Sequence, residues 1–167
     1  MDSDGLSFLA ICSIRRLLNR IHRAIYAAYP GTTTSGLSPP SAVSRMNSNM
    51  PPNGVLTVGS MGSICAELNR QLDSWYCSLP DKIKPDLAGN EPQNLQESWI
   101  RSRYWSAKHI ICRPCLVYAA SLSDHTHLPA YVFKYCEMCI ESCRNYIKTA
   151  SHILMERTQY TWMTIQA

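Results

Sequence analysis

At 167 residues the chain has room for one domain, and a globule of this size buries about 68 to 70% of its unfolded surface. Hydrophobic residues at 46% and charged residues at 17% exclude disorder throughout and do not suggest a membrane protein. A net charge of +4 is too small to imply nucleic-acid binding.

The excess charge is local. Residues 1–29 hold four Arg against two Asp, Arg45 adds one more, and residues 61–167 hold eleven basic against ten acidic side chains. The apolar run Leu6 to Ile14 is too short to span a bilayer and is closed by Arg15 and Arg16. Asp2 and Asp4 stand where a secretory signal needs basic residues. The eight cysteines fall short of a disulfide-dense scaffold, and no Asn-x-Ser/Thr sequon is present. The sequence therefore reads as soluble and not exported, with reduced thiols.

Residues 1–29 form the first block, a helix with Leu6, Ala10, Ile14, Leu17, Leu18, Ile21, Ile25 and Ala28 at intervals of three and four. Arg15, Arg16, Arg20 and Arg23 make a basic face beside it, read as a solvated surface before a nucleic-acid or import-receptor site. Residues 30–60 change composition sharply: 22 of 31 are Ser, Thr, Pro, Gly or Asn and none is acidic. Such a stretch cannot bury enough apolar surface to offset its ordering entropy and is expected to be a disordered loop.

Residues 61–167 read as a helical domain. Met61, Ile64, Leu68, Leu72, Trp75 and Leu79 predict a second helix that ends before Pro80. A third runs from about Leu95 to Leu122, with Ile100, Tyr104, Ala107, Ile111, Cys115 and Tyr118 in register across Pro114, where a kink near Ile110 is expected. A fourth, about Ala130 to Arg157, carries the stripe Val132, Cys136, Cys139, Ile140, Cys143, Ile147, Ala150 and Leu154. Gln159 to Gln166 reads as the first turns of a fifth helix. The expected fold is all-α, an irregular array of four to five helices with a long disordered loop. The pattern is still running at Ala167, so the domain reads as truncated there. Apolar faces of the third and fourth helices would then be partly uncovered, giving low solubility.

Two constellations invite chemistry. Cys112-x-x-Cys115 and Cys136-x-x-Cys139 approach a four-thiolate zinc spacing, and the first pair also has the form of a redox motif. Both lie inside helical patterns rather than in the turns such sites need, so buried small hydrophobes are the better reading. His125 and His127 share a polar loop and read as just that. Trp99, Tyr104 and Trp105 near Arg101 and Arg103 suggest base stacking, but Tyr104 belongs to the core stripe. No Ser-His-Asp spacing, phosphate loop or carboxylate pair appears. No catalytic, cofactor-binding or metal-ligating residue is assigned, and an enzyme is not expected.

Four strings, taken in order, resemble the middle homology region of fungal zinc-cluster transcription factors, the fungal-specific transcription factor domain. They are Phe8 to His22 with Ile25 and Tyr26; Leu68 to Pro80, ending in Trp75 and Leu79-Pro80; Leu95 to Pro114, with Arg103-Tyr104 and Arg113-Pro114; and Cys136 to Ala150 with Tyr160 to Trp162. The resemblance implies a regulatory domain in the nucleus, downstream of a separate DNA-binding module, that receives effectors, contacts co-regulators or restrains an activation region. The family's six-cysteine zinc cluster, with its interleaved Lys and Arg, is not in these residues. Zinc and direct DNA contact are therefore expected only of a module outside them, and protein partners are expected of this one. The alternatives are a thiol- or zinc-dependent helical protein using the cysteine pairs, or a helical adaptor unrelated to transcription.

Overall fold

The computed structural model describes residues 3–26, 58–88, 91–122 and 128–155. Four helices make up 84% of them, with no strand among the described residues. These are α1 (Ser3–Tyr26), α2 (Val58–Cys77), α3 (Leu95–Ser121) and α4 (Ala130–Met155). The all-α expectation holds. The second helix begins at Val58 rather than Met61, so it takes the last three residues of the stretch expected to be loop. The rest of that loop, the His125/His127 pair and the expected fifth helix lie outside the described residues.

The stripe of α1 buries as its spacing requires: Ala10, Ile14, Leu17, Leu18, Ile21 and Ile25 are all in the core. On α2, Met61, Leu68 and Leu72 face inward, joined by Cys65 and Asn69, which the spacing did not mark. Gly62 admits the ring of Tyr131 from α4, since a Cβ there would stand 3.1 Å from its Cε2. After α2 the amides of Ile83 and Lys84 fold back onto the Pro80 carbonyl, at 3.0 and 3.1 Å. Leu79 and Ile83 thereby join Ala10 and Ile100 in a small second cluster.

The start of α3 is fixed by its cap. Asn94 Oδ1 accepts from the Glu97 amide at 2.8 Å, satisfying one orphan donor of the first turn. The Glu97 carboxylate reaches back to the amides of Gln93 at 2.8 Å and Asp86 at 3.1 Å, tying the preceding loop to the helix.

Helix α3 is the hub, packing against α1, α2 and most extensively α4. It therefore buries residues around much of its girth, including Ser98, Ile100, Arg101, Ser102, Tyr104, Ser106 and Ala107. Tyr104 donates to Asp73 Oδ1 at 2.9 Å and accepts from Lys108 Nζ at 2.9 Å, fastening α3 to α2. Burial, and then the Asp73 charge, keep the Tyr104 phenol protonated well above its ordinary range.

The serines at 98, 102 and 106 stand four apart and are all buried, and Ser98 Oγ lies 3.5 Å from His152 Nδ1 on α4. Buried Ser142 and Thr149 on α4 bond their own helix, to the carbonyls of Met138 at 2.6 Å and Asn145 at 2.8 Å, so no polar hydrogen is lost to burial there.

The face of α4 that α3 buries is Val132, Cys139, Ser142, Thr149, Ala150 and Ile153. It is rotated from the predicted apolar stripe: Ile140, Ile147 and Leu154 remain 44%, 60% and 44% exposed.

Candidate functional site

The thiols gather in the core. Cys65, Cys112, Cys115 and Cys139 are buried, whereas Cys12 and Cys77 are exposed. Cys65, solitary in the sequence, brings its sulfur 3.9 Å from that of Cys115 across the α2–α3 contact. Asn69 Nδ2 donates to the Cys65 carbonyl at 2.9 Å and lies 3.9 Å from the Cys112 sulfur.

Two of these thiols support the helix at its proline. Pro114 has no amide hydrogen to give the Ile110 carbonyl, so the ladder of α3 is weakened there, although the helix runs on to Ser121. The carbonyls on either side accept thiol hydrogens instead: Ile111 from Cys65 at 3.2 Å and His109 from Cys139 at 3.7 Å.

Their chemistry follows from burial. Burial pushes Cys112 up to about 12 and, with the charges of Cys143 and Cys136, Cys139 up to about 11. The contact with Cys115, followed by burial, holds the Cys65 proton in place. Thiols with raised pKa values are poor nucleophiles at neutral pH. Among the described residues no three His, Cys, Asp or Glu side chains converge to hold a metal ion, and no helix is long and apolar enough to cross a membrane.

The base-stacking candidates disperse. Tyr104 is buried in the core, and the Trp105 ring meets it edge-on at 5.1 Å. Arg101 is buried as well. The basic face of α1 does form, with Arg15, Arg16, Arg20 and Arg23 all exposed. Its neighbour on α2 is acidic: Glu67, bonded to Arg70 at 2.7 and 2.8 Å, is lowered to about 2 by Arg70 and Gln71 first, with Arg20 adding to the effect.

Among the described residues, the outer face of α4 carries a run of exposed apolar side chains. Phe133, Ile140, Ile147 and Leu154 recur every seven residues, and each is between 44% and 60% exposed. Half-buried Cys136 and Cys143 fill the alternate positions of a three–four repeat, and the next such position, Ala150, is buried. That is the seam by which one helix receives another. Beside it a broad groove of about 1060 Å³ is lined by Trp105, Lys108, Phe133, Glu137, Ile140 and Glu141. The buried indole N–H of Trp105 has no hydrogen-bond partner among the described residues.

The spacing of α4 marked Ile140, Ile147 and Leu154 as core; the structure makes them surface, because the face that α4 buries carries Val132, Cys139, Ser142, Thr149, Ala150 and Ile153. Phe133 escaped the sequence reading, although it starts the same seven-residue series.

Compared with known proteins, the chain matches no protein-family model, no curated protein and no solved structure.

Proposed function

We propose that this chain is a helical regulatory domain of a fungal transcription factor, acting in the nucleus through contacts with other proteins and with effectors and doing no chemistry of its own. The observation that carries the contact role is the exposed three–four seam of α4, with the adjoining groove. An amphipathic helix presenting the same repeat would cover the seam. The ordered strings from Phe8 to Trp162 support the transcriptional assignment through their resemblance to the fungal-specific domain. In this reading the partners are co-regulators or other parts of the same factor. Zinc and direct DNA contact belong to a separate six-cysteine module.

The experiment is a tethered reporter. The 167-residue chain is fused to an unrelated DNA-binding domain and expressed in a fungal host carrying a reporter under the matching operator. Changed reporter output, relative to the DNA-binding domain alone, is the expected result. Unchanged output, with the fusion present in the nucleus, contradicts the proposal.

A further inference from the structure

The exposed apolar positions of α4 are symmetric along the helix. Phe133 lies ten residues before Cys143 and Leu154 ten after Arg144, while Ile140 and Ile147 lie three before and three after the same two residues. All four are exposed, and from first to last they cover about 32 Å, about six turns of helix. A row with this symmetry fits a second copy of itself turned end for end, Phe133 against Leu154 and Ile140 against Ile147.

Charge decides between the two directions in which such copies could meet. Glu137 and Glu141 precede the midpoint, Arg144 and Lys148 follow it, and all four are exposed. Their spacings of four, three and four place them along one side of the helix. Glu137, Glu141 and Arg144 line the groove together with Phe133 and Ile140, so these charges border the apolar row. Glu141 stands 3.7 Å from Arg144 and accepts from Asn145 at 3.1 Å in its own helix, yet its side chain stays 57% exposed.

In a parallel pair in register, each carboxylate would meet its own copy and each cation likewise. In the antiparallel pair, Lys148 of one copy comes between Glu137 and Glu141 of the other, and Arg144 comes beside the other copy's Glu141. The two Arg144 approach each other at the axis, where Glu141 of both helices offsets them. Lys134, at the start of the helix, stands outside the pattern. Surface ion pairs contribute little affinity each, so the charges set the direction and the apolar row supplies the attraction.

We propose that the outer face of α4 pairs two copies of this chain, antiparallel about a two-fold axis that passes between Cys143 and Arg144. This names a second copy as a partner of the seam and rests on the reading of that seam as a contact surface. The test reads mass in solution and uses no reporter, so failure of the pairing is distinguishable from failure of the transcriptional assignment.

The experiment is sedimentation velocity on the full chain from about 1 to about 500 µM. One helix face is small for a specific interface, so the association is weak and reversible. A dissociation constant of roughly 10–100 µM is expected, with the mass rising from 18.9 kDa toward twice that value. Well below that constant the chain is a monomer, and unfolding measured there reports one copy alone. Ile140→Asp, at an exposed position, is expected to give a monomer throughout with unchanged circular dichroism. Glu141→Lys is expected to weaken pairing by roughly ten-fold, because the two-fold axis repeats the broken contact. Reversing all four signs together (Glu137→Lys, Glu141→Lys, Arg144→Glu and Lys148→Glu) keeps the complementarity and is expected to restore pairing.

A monomer at every concentration overturns the proposal. So does association that Ile140→Asp leaves intact, because the contact then lies elsewhere. Glu141→Lys pairing as tightly as wild type, or the four-fold reversal remaining as weak as that single variant, overturns the antiparallel arrangement.

Discussion

Cysteine carries the clearest lesson at the scale of single residues. The two C-x-x-C strings have the letters of a metal or redox site, yet the thiols of Cys65 and Cys139 spend their hydrogens on the carbonyls that flank the break made by Pro114. Their environment predicts an alkaline limit to stability. Cys112 rises from 9.0 to about 12 on folding, so the unfolded chain loses its thiol proton first. Below about pH 9 the stability contribution of the protonated thiol is therefore fully present, and it is lost as pH climbs from there through the folded value.

Urea unfolding between pH 8 and 11 should show stability falling with a slope of up to about 1.4 kcal/mol per pH unit from this group. Cys112→Ala should have a shallower slope over the same range. Parallel pH profiles for the two chains would remove the buried thiol from the account. Helical placement of both pairs was legible in the sequence, since their spacing matched the apolar stripes. The Cys65–Cys115 meeting was not, because no local pattern records which residue of another helix will lie opposite.

The elements differ in how much of each was written locally. Helix α1 was read almost completely, because a single stripe faces a single core. The cap of α3, Asn94 followed three residues later by Glu97, is also a local signal, although the sequence reading placed the helix start at about Leu95 without using it. Replacing that cap gives a direct check: Asn94→Ala should cost about 1 kcal/mol in denaturant unfolding, and Asn94→Asp should keep most of it. Equal stabilities for the alanine and wild-type chains would mean that the loop contacts of Glu97, not the cap, fix the helix start.

Helix α4 was misread in one respect, its inward face. Hydrophobic periodicity identifies an apolar stripe, but the surface of α3 decides which stripe is buried. The residues that α4 buries include the polar Ser142 and Thr149, whereas Ile140 and Ile147 stay exposed. The exposed seam that carries the functional proposal is the consequence.

For the whole molecule, α3 is the common partner of the other three helices, and the core should be most sensitive along its length. Ile111 is fully buried among residues of all four helices. Ile111→Ala should therefore cost 2–5 kcal/mol, roughly, by loss of transfer energy and the cavity left behind. Ile147→Ala, on the open face of α4, should stay within about 0.5 kcal/mol of wild type. A reversed order in urea midpoints would put the core on the wrong side of α4. A cavity of about 360 Å³ between α1 and α3 was not foreseen in the sequence, because Arg15 and Arg103 lie 88 residues apart and come to line it together only through the packing of two helices.

The central claim, that α4 holds the fold with one face and a partner with the other, is tested most directly by the double substitution Ile140→Asp with Ile147→Asp. The urea midpoint and the tethered-reporter output are read on the same variant. The account predicts a midpoint close to wild type, since both positions are exposed, together with loss of the reporter response. A collapsed midpoint would show that these residues belong to the core, and an undiminished response from a stable variant would show that the seam is not the contact surface.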